Sequence, residues 1–155
     1  MVFRHYDEPA RQSLALLLSH IARRRRAILL IAGDWRMAAK VKANGIHLPE
    51  YMLHSGKLAP ILGWARRSKR LITVACHSRQ VLGQARKLKM SAALVSPVFA
   101  TDSHPGATAL GLLRFTTLCR STGIPVFALG GVRRNIAKRT KAYGMAGTIP
   151  LNTTR

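Results

Sequence analysis

The sequence predicts an α/β domain built on a parallel sheet. Three observations carry that expectation. Short apolar runs of strand length recur along the whole chain. Helix-like segments lie between most of them, and strict strand–helix alternation yields parallel pairing through right-handed crossovers. The runs are also apolar on both faces, as buried parallel strands are, and seven of them suit a closed (β/α) barrel better than an open sheet; periodicity by itself separates neither.

The strand runs fall at residues 2–5, 27–32, 45–47, 71–76, 92–95, 125–128 and 147–150. Helices are expected over 8–24, 35–44, 59–68, 78–89, 110–121 and 135–143. Asp7 and Ser78 are candidate N-caps, because a short oxygen-bearing side chain satisfies the first free N–H groups of a helix. Asn44-Gly45 and Gly144 are candidate stops. No linker and no low-complexity tract interrupts the pattern, so residues 1–155 read as a single domain.

A chain of 155 residues with a hydrophobic fraction of 48% can bury one core and offset its ordering entropy. The longest apolar run, around Ala27 to Ala32, is far shorter than the roughly 20 residues a spanning helix needs, so no membrane segment is expected. Residues 1–6 lack the apolar stretch and cleavage site of a signal peptide, and Cys76 and Cys119 have no metal or redox spacing. A reduced, cytoplasmic setting is expected. The oligomeric state is not legible.

The formal charge is +21, from 26 basic and 5 acidic residues. Such a balance attracts polyanions, and nucleic acid would bind through nonspecific, salt-dependent charge. The basic residues cluster as Arg23 to Arg26, as Arg66-Arg67 with Lys69-Arg70, and as Arg133-Arg134 with Lys138-Arg139-Lys141. The first two clusters end predicted helices, where cations complement the helix dipole. No interleaved aromatic residues offer a base-stacking platform.

The chemistry concentrates at two strand ends. Ala93-Leu94-Val95 runs into Ser96-Pro97-Val98-Phe99-Ala100-Thr101, and Val126-Phe127-Ala128-Leu129 runs into Gly130-Gly131. A glycine pair after a buried strand lets backbone N–H groups approach an anion, and hydroxyls from the preceding loop add donors, so phosphate is the natural guest. The same pair would equally serve to turn the chain toward the next helix.

These residues also carry a resemblance. Ser96-Pro97-Val98-Phe99-Ala100-Thr101-Asp102-Ser103-His104 resembles the Gly-Pro-Val-Phe-x-Thr-x-Thr-Lys loop of thiamine-phosphate synthases, and residues 125–132 resemble their Pro-Val-x-Ala-Ile-Gly-Gly-Ile strand. Gly45-Ile46-His47-Leu48 and Val74-Ala75-Cys76-His77 resemble the Gly-Val-His-Leu and Val-Ser-x-His segments between. Order and spacing agree over most of the chain, and the superfamily includes thiazole tautomerases. The resemblance tips the fold toward a TIM-type (β/α) barrel of about seven parallel strands, lacking the first βα unit. Such barrels have eight strands and roughly 200 residues or more. Two explanations stand for the shortfall: a start codon assigned too late, or an open barrel with two edges to cover.

The resemblance implies a reaction joining hydroxymethylpyrimidine pyrophosphate to thiazole phosphate, with release of pyrophosphate. It implies Mg²⁺ as cofactor and phosphorylated small molecules as partners. Carried over residue by residue, Arg4 and Asp34 with Mg²⁺ hold the pyrophosphate, Thr101, Ser103 and His104 line the joining site, and Gly130 and Gly131 grip the thiazole phosphate. Asp34 matches the Asp of the family's metal-binding Asn-Asp pair, whose Asn is Gly33 here; Asp34 would equally cap a helix beginning at Trp35. The family's second carboxylate falls on Met52, a thioether unsuited to a hard cation, and Glu50 two residues earlier is the substitute.

Other positions depart from the pattern. Tyr6 stands for a Lys, Ala75 for a Ser, and Ser103-His104 for Thr-Lys; His104 would be only partly charged at neutral pH. Thr148-Ile149 stand near the usual Val-Ser, and Pro150 removes a backbone donor. The phosphate half is therefore better preserved than the metal half. His47 reads as a core or supporting histidine, and His77 as either a substrate contact or a loop hydrogen-bonder. Two other functions stay open: a member that binds or isomerises a phosphorylated heterocycle without metal, and a non-enzymatic polyanion binder.

Overall fold

The computed structural model describes residues 1–101, 106, 108–132 and 142–145. It divides into two compact units, Met1–Ala75 and Cys76–Arg155.

In the first unit, β1 (Val2–Phe3), β2 (Leu30–Ala32), β3 (Gly45–Leu48) and β4 (Leu71–Cys76) pair in chain order, all parallel. The register aligns Phe3 with Ile31, Ile31 with Ile46 and Ile46 with Ile72. Side chains of equal height therefore form one apolar layer across four strands, and it is buried throughout. Between the strands run α1 (Arg11–Arg24), α2 (Trp35–Lys40), a 3-10 turn at Glu50–His54 and α3 (Leu58–Arg67). Ala15, Ala22 and Ala38 bring the helices down onto Phe3, Leu29 and Ile31. Small residues at those points allow helix backbones to approach the sheet closely. Gly45 serves the same end within the sheet, since a Cβ there would strike the carbonyl of Leu71.

In the second unit, α4 (Arg79–Lys87) follows β4, and β5 (Ala92–Val95), β6 (Val126–Ala128) and β7 (Gly144–Met145) pair in parallel around α5 (Gly111–Ser121). Val95, Val98, Phe115 and Ala128 are buried in its core. Ser78 caps α4 as expected, its hydroxyl accepting from Val81 N–H at 3.3 Å. No helix among the described residues is long and apolar enough to cross a membrane.

Four expectations about element ends are corrected. The first helix starts at Arg11, not residue 8, and Asp7 does not cap it: Glu8 forms a preceding turn, its carboxylate accepting from Ala10 N–H at 3.3 Å and its carbonyl from Arg11 N–H at 2.9 Å. The second helix ends at Lys40, because Lys42 takes φ = 55° and turns the chain so that Val41 and Ala43 are both buried. A 3-10 turn, not foreseen, occupies Glu50–His54. Among the described residues a seventh strand lies at Gly144–Met145, where a helix stop was expected; Gly144 lets the strand pass the Phe127 ring, which a Cβ would meet at 2.9 Å. Residues 147–150 lie outside the described residues, as does most of the helix expected over 135–143.

The basic clusters at residues 23–26 and 66–70 do fall at helix C-termini. There the cations meet the partial negative charge of the last carbonyls.

Candidate functional site

The C-terminal ends of β1, β2 and β3 bring one group of polar residues together. Arg4 follows β1 directly, and its positive charge acts on the Tyr6 hydroxyl. Burial raises the Tyr6 pKa above the ordinary phenol value, against the pull of Arg4 and Arg11. Arg11, at the first position of α1, folds back toward the strand ends: its guanidinium lies 5.3 Å from the Tyr6 ring centre and 6.0 Å from that of Phe3. One of its terminal nitrogens donates to the Ala32 carbonyl at 2.8 Å, and the other stands 3.8 Å from Asp34.

Asp34 does what a helix cap does. Its Oδ1 accepts from Met37 N–H at 2.9 Å at the start of α2, while Oδ2 is the oxygen turned to Arg11. Gly33 beside it has φ = 72° and donates its N–H to the His47 carbonyl at 2.9 Å. A Cβ on Gly33 would lie 3.3 Å from the Tyr6 ring and 3.9 Å from the Met52 sulfur. The departures at positions 6 and 33 are thus one spatial event: the ring of Tyr6 rests on the open face of Gly33. His47 is buried with Nδ1 2.9 Å from the Thr73 hydroxyl. Burial first, and the charge of Arg4 second, lower its pKa to about 4, so it is neutral at physiological pH.

The donors at this end do not fit the magnesium site that the family resemblance implies. A magnesium ion bound to diphosphate needs one or two protein carboxylate oxygens turned to it, with phosphate oxygens and water completing its shell. Here Oδ1 of Asp34 is taken by the helix cap, a guanidinium stands 3.8 Å from Oδ2, and a thioether occupies position 52. Glu50 opens the 3-10 turn half-buried. Among the described residues, no three His, Cys, Asp or Glu side chains gather as a metal-ion site.

The second unit carries the other group. The loop after β5 continues to pair with the end of β6: Val98 N–H donates to Leu129 and Phe99 N–H to Gly130, each at 3.0 Å. Gly130 and Gly131 both take left-handed backbone, φ = 85° and 61°. A Cβ on Gly130 would stand 3.0 Å from Pro97, and one on Gly131 would strike the Ala100 carbonyl and approach Phe99 Cβ to 2.8 Å. Two bare residues therefore lie flush against the 96–101 loop, whose Pro97, Phe99 and Ala100 fill the space that side chains there would take. Thr101 is half-buried beside them, its Cγ2 3.6 Å from where a Gly130 Cβ would be. His77 Nδ1 lies 2.8 Å from the Ser96 carbonyl, which makes it a brace of this loop. Asp102, Ser103 and His104 lie outside the described residues.

Arg11 was not foreseen as a site residue. The signal was present, since a cation in the first turn of a helix opposes the dipole and calls for another reason to be there.

A family model for thiamine monophosphate synthase matches residues 2–149. The thiamine-phosphate synthase of Thioalkalivibrio sulfidiphilus is 27% identical over 139 residues, covering 89% of this chain and 64% of that protein. That of Coprothermobacter proteolyticus is 25% identical over 135 residues, covering 86% of this chain and 61% of its own length. The chain thus spans less than two thirds of these two relatives. Among solved structures, thiamine phosphate pyrophosphorylase from Pyrococcus furiosus matches with a TM-score of 0.74 and 22% identity, over 95% of this chain and 70% of that one. A 3-keto-L-gulonate-6-phosphate decarboxylase from Vibrio cholerae matches at 0.66 and 17% identity, over 94% and 75%. These likenesses bear out the TIM-type (β/α) architecture, here with seven strands among the described residues. With a match running almost the length of the sequence, this chain belongs to the thiamine monophosphate synthase family.

Proposed function

We propose that this chain joins hydroxymethylpyrimidine pyrophosphate to thiazole phosphate and releases pyrophosphate. The observation that supports this most is the pair of left-handed glycines, Gly130 and Gly131, packed without room for a side chain against the 96–101 loop. In this reading their backbone holds the thiazole phosphate. The carbon–oxygen bond to the diphosphate breaks, and the thiazole nitrogen supplies the electron pair for the new carbon–nitrogen bond. The leaving diphosphate takes its charge away to Arg4, the exposed guanidinium after β1. Preorganised donors aimed at developing negative charge are the usual source of such acceleration. Thr101 belongs to the joining site in this reading, with Ser103 and His104. No step is routed through a metal held by Asp34 and Glu50.

The test is incubation of the full chain with both substrates, following thiamine phosphate by mass and pyrophosphate by a coupled assay. Equal amounts of both products are expected, with loss of both in Gly131→Val. Binding of both substrates with no product overturns the reading in favour of a protein that only holds a phosphorylated heterocycle, a role favoured by the engagement of Asp34 with Arg11.

A further inference from the structure

The acidic oxygen to which the family resemblance would bind a divalent cation is instead faced by an arginine with donors to spare. A guanidinium has five N–H donors. On Arg11 one terminal nitrogen donates to Ala32, the other sits 3.8 Å from Asp34, and the buried Nε has no hydrogen-bond partner among the described residues. An unpaired buried donor is costly, and it is stabilised by any acceptor oxygen that reaches it. The Arg11 side chain is only 15% exposed and Asp34 is 37% exposed. The pair is therefore partly shielded, and charge there is felt more strongly than on the open surface.

The sum of charges decides which guest is welcome. Arg4 and Arg11 contribute two positive charges, Asp34 and Glu50 two negative, and Tyr6 and His47 are neutral at pH 7, so the cluster lacks the net negative charge that would draw in a bare divalent cation. The guanidinium facing Asp34 still offers donors to a diphosphate.

We propose that Arg11 is the counter-charge for diphosphate in this chain, making diphosphate binding independent of magnesium. This rests on the diphosphate-handling part of the function proposed above, but not on turnover. Arg11 is a binding residue in this account. Asp34 holds it in place and competes with the ligand for it.

The test is calorimetric titration of inorganic pyrophosphate into the full chain, in excess EDTA and again in millimolar magnesium. Binding in EDTA within about threefold of that in magnesium is expected. Arg11→Met should weaken it at least tenfold, and Arg25→Met, which removes an equal charge from the end of α1, by less than twofold. Asp34→Asn gives the opposite sign and guards against misfolded Arg11 variants: the amide keeps a capping oxygen but releases Arg11, so affinity in EDTA should rise by three- to tenfold. Binding that requires magnesium, loss of binding in Asp34→Asn, or equal effects of Arg11→Met and Arg25→Met would each overturn the proposal. Absence of turnover with this binding pattern intact would count against the joining reaction alone.

Discussion

His47 on β3 and Thr73 on β4 sit opposite each other in register and share a 2.9 Å hydrogen bond inside the core. Burial and the neighbouring charge of Arg4 hold the imidazole pKa at about 4, against an ordinary value of 6.5. Because the folded state resists protonation, the unfolded state binds more protons between those two values. The stability tied to a neutral His47 is therefore complete above about pH 6.5 and is lost as the pH falls toward 4. The full effect is roughly 3 kcal/mol from the size of the shift. Only five acidic residues are present, so the usual carboxylate contribution to acid unfolding is small. Urea titrations at pH 7.5 and 4.5 should show this loss, and His47→Gln should remove most of it. An unchanged pH dependence in the variant would count against His47 as its source.

Gly131→Ala tests the glycine pair. A Cβ there strikes the Ala100 carbonyl, and the residue already has φ = 61°. Gly106 has φ = 84° but open space around it. Replacement at Gly106 should cost about 1 kcal/mol, from left-handed backbone alone. At Gly131 the collision adds to that, for a total of about 2–4 kcal/mol. Thermal melts of the two variants should separate by several degrees, and equal melts would mean that the contact with the 96–101 loop relaxes freely.

Asp34 was legible in the sequence because an acidic residue between an apolar strand and a helix has few roles to fill, and it fills the capping one. The glycine pair was legible because two adjacent glycines after a buried strand signal close approach of backbone. Arg11 carried only an indirect signal, a cation placed against the helix dipole, and which way its side chain turns, back over Tyr6, is set by packing. The second and fourth helices were read on to residues 44 and 89, past their ends at Lys40 and Lys87, because the residues that break them are Lys42 and Lys89, good helix formers that read as continuation. The 3-10 turn at Glu50–His54 has too few residues to show a period.

Cys119 should be inert in the folded protein. Burial raises its thiol pKa to about 11, so at pH 8 about one molecule in a thousand carries the thiolate that reacts. Cys76 is fully buried. Alkylation by iodoacetamide, followed by mass spectrometry at pH 8, should run at least a hundredfold slower than in urea. Rapid labelling of the native chain would mean that α5 opens readily.

The four helix stops share one device. Arg26, Lys42, Lys69 and Lys89 all take φ between 50° and 55°. Each donates its N–H to a carbonyl three residues back, and the following N–H reaches Ala22, Ala38, Ala65 or Ala85 respectively at 2.7–3.0 Å. This is the hydrogen-bond pattern that usually employs glycine at the left-handed position. Here a long cation occupies it, with a strain of about 1 kcal/mol at each stop. The accepted alanines are 0–3% exposed, so the turn drives each helix end into the core while its charge stays outside. Lys42→Gly should relieve the strain and stabilise the fold by about 0.5–1 kcal/mol, since some of the gain is offset by greater freedom of the unfolded chain. For a domain of this size that is a rise of roughly 2–4 °C in melting temperature. Lys40→Gly, two residues earlier in the last turn of α2, should do the reverse by about 1 kcal/mol, because glycine there loosens helix and removes a cation from the dipole. Scanning calorimetry on the two variants should give shifts of opposite sign, and a destabilising Lys42→Gly would mean that the Lys42 side chain stabilises the turn by more than its backbone strain costs.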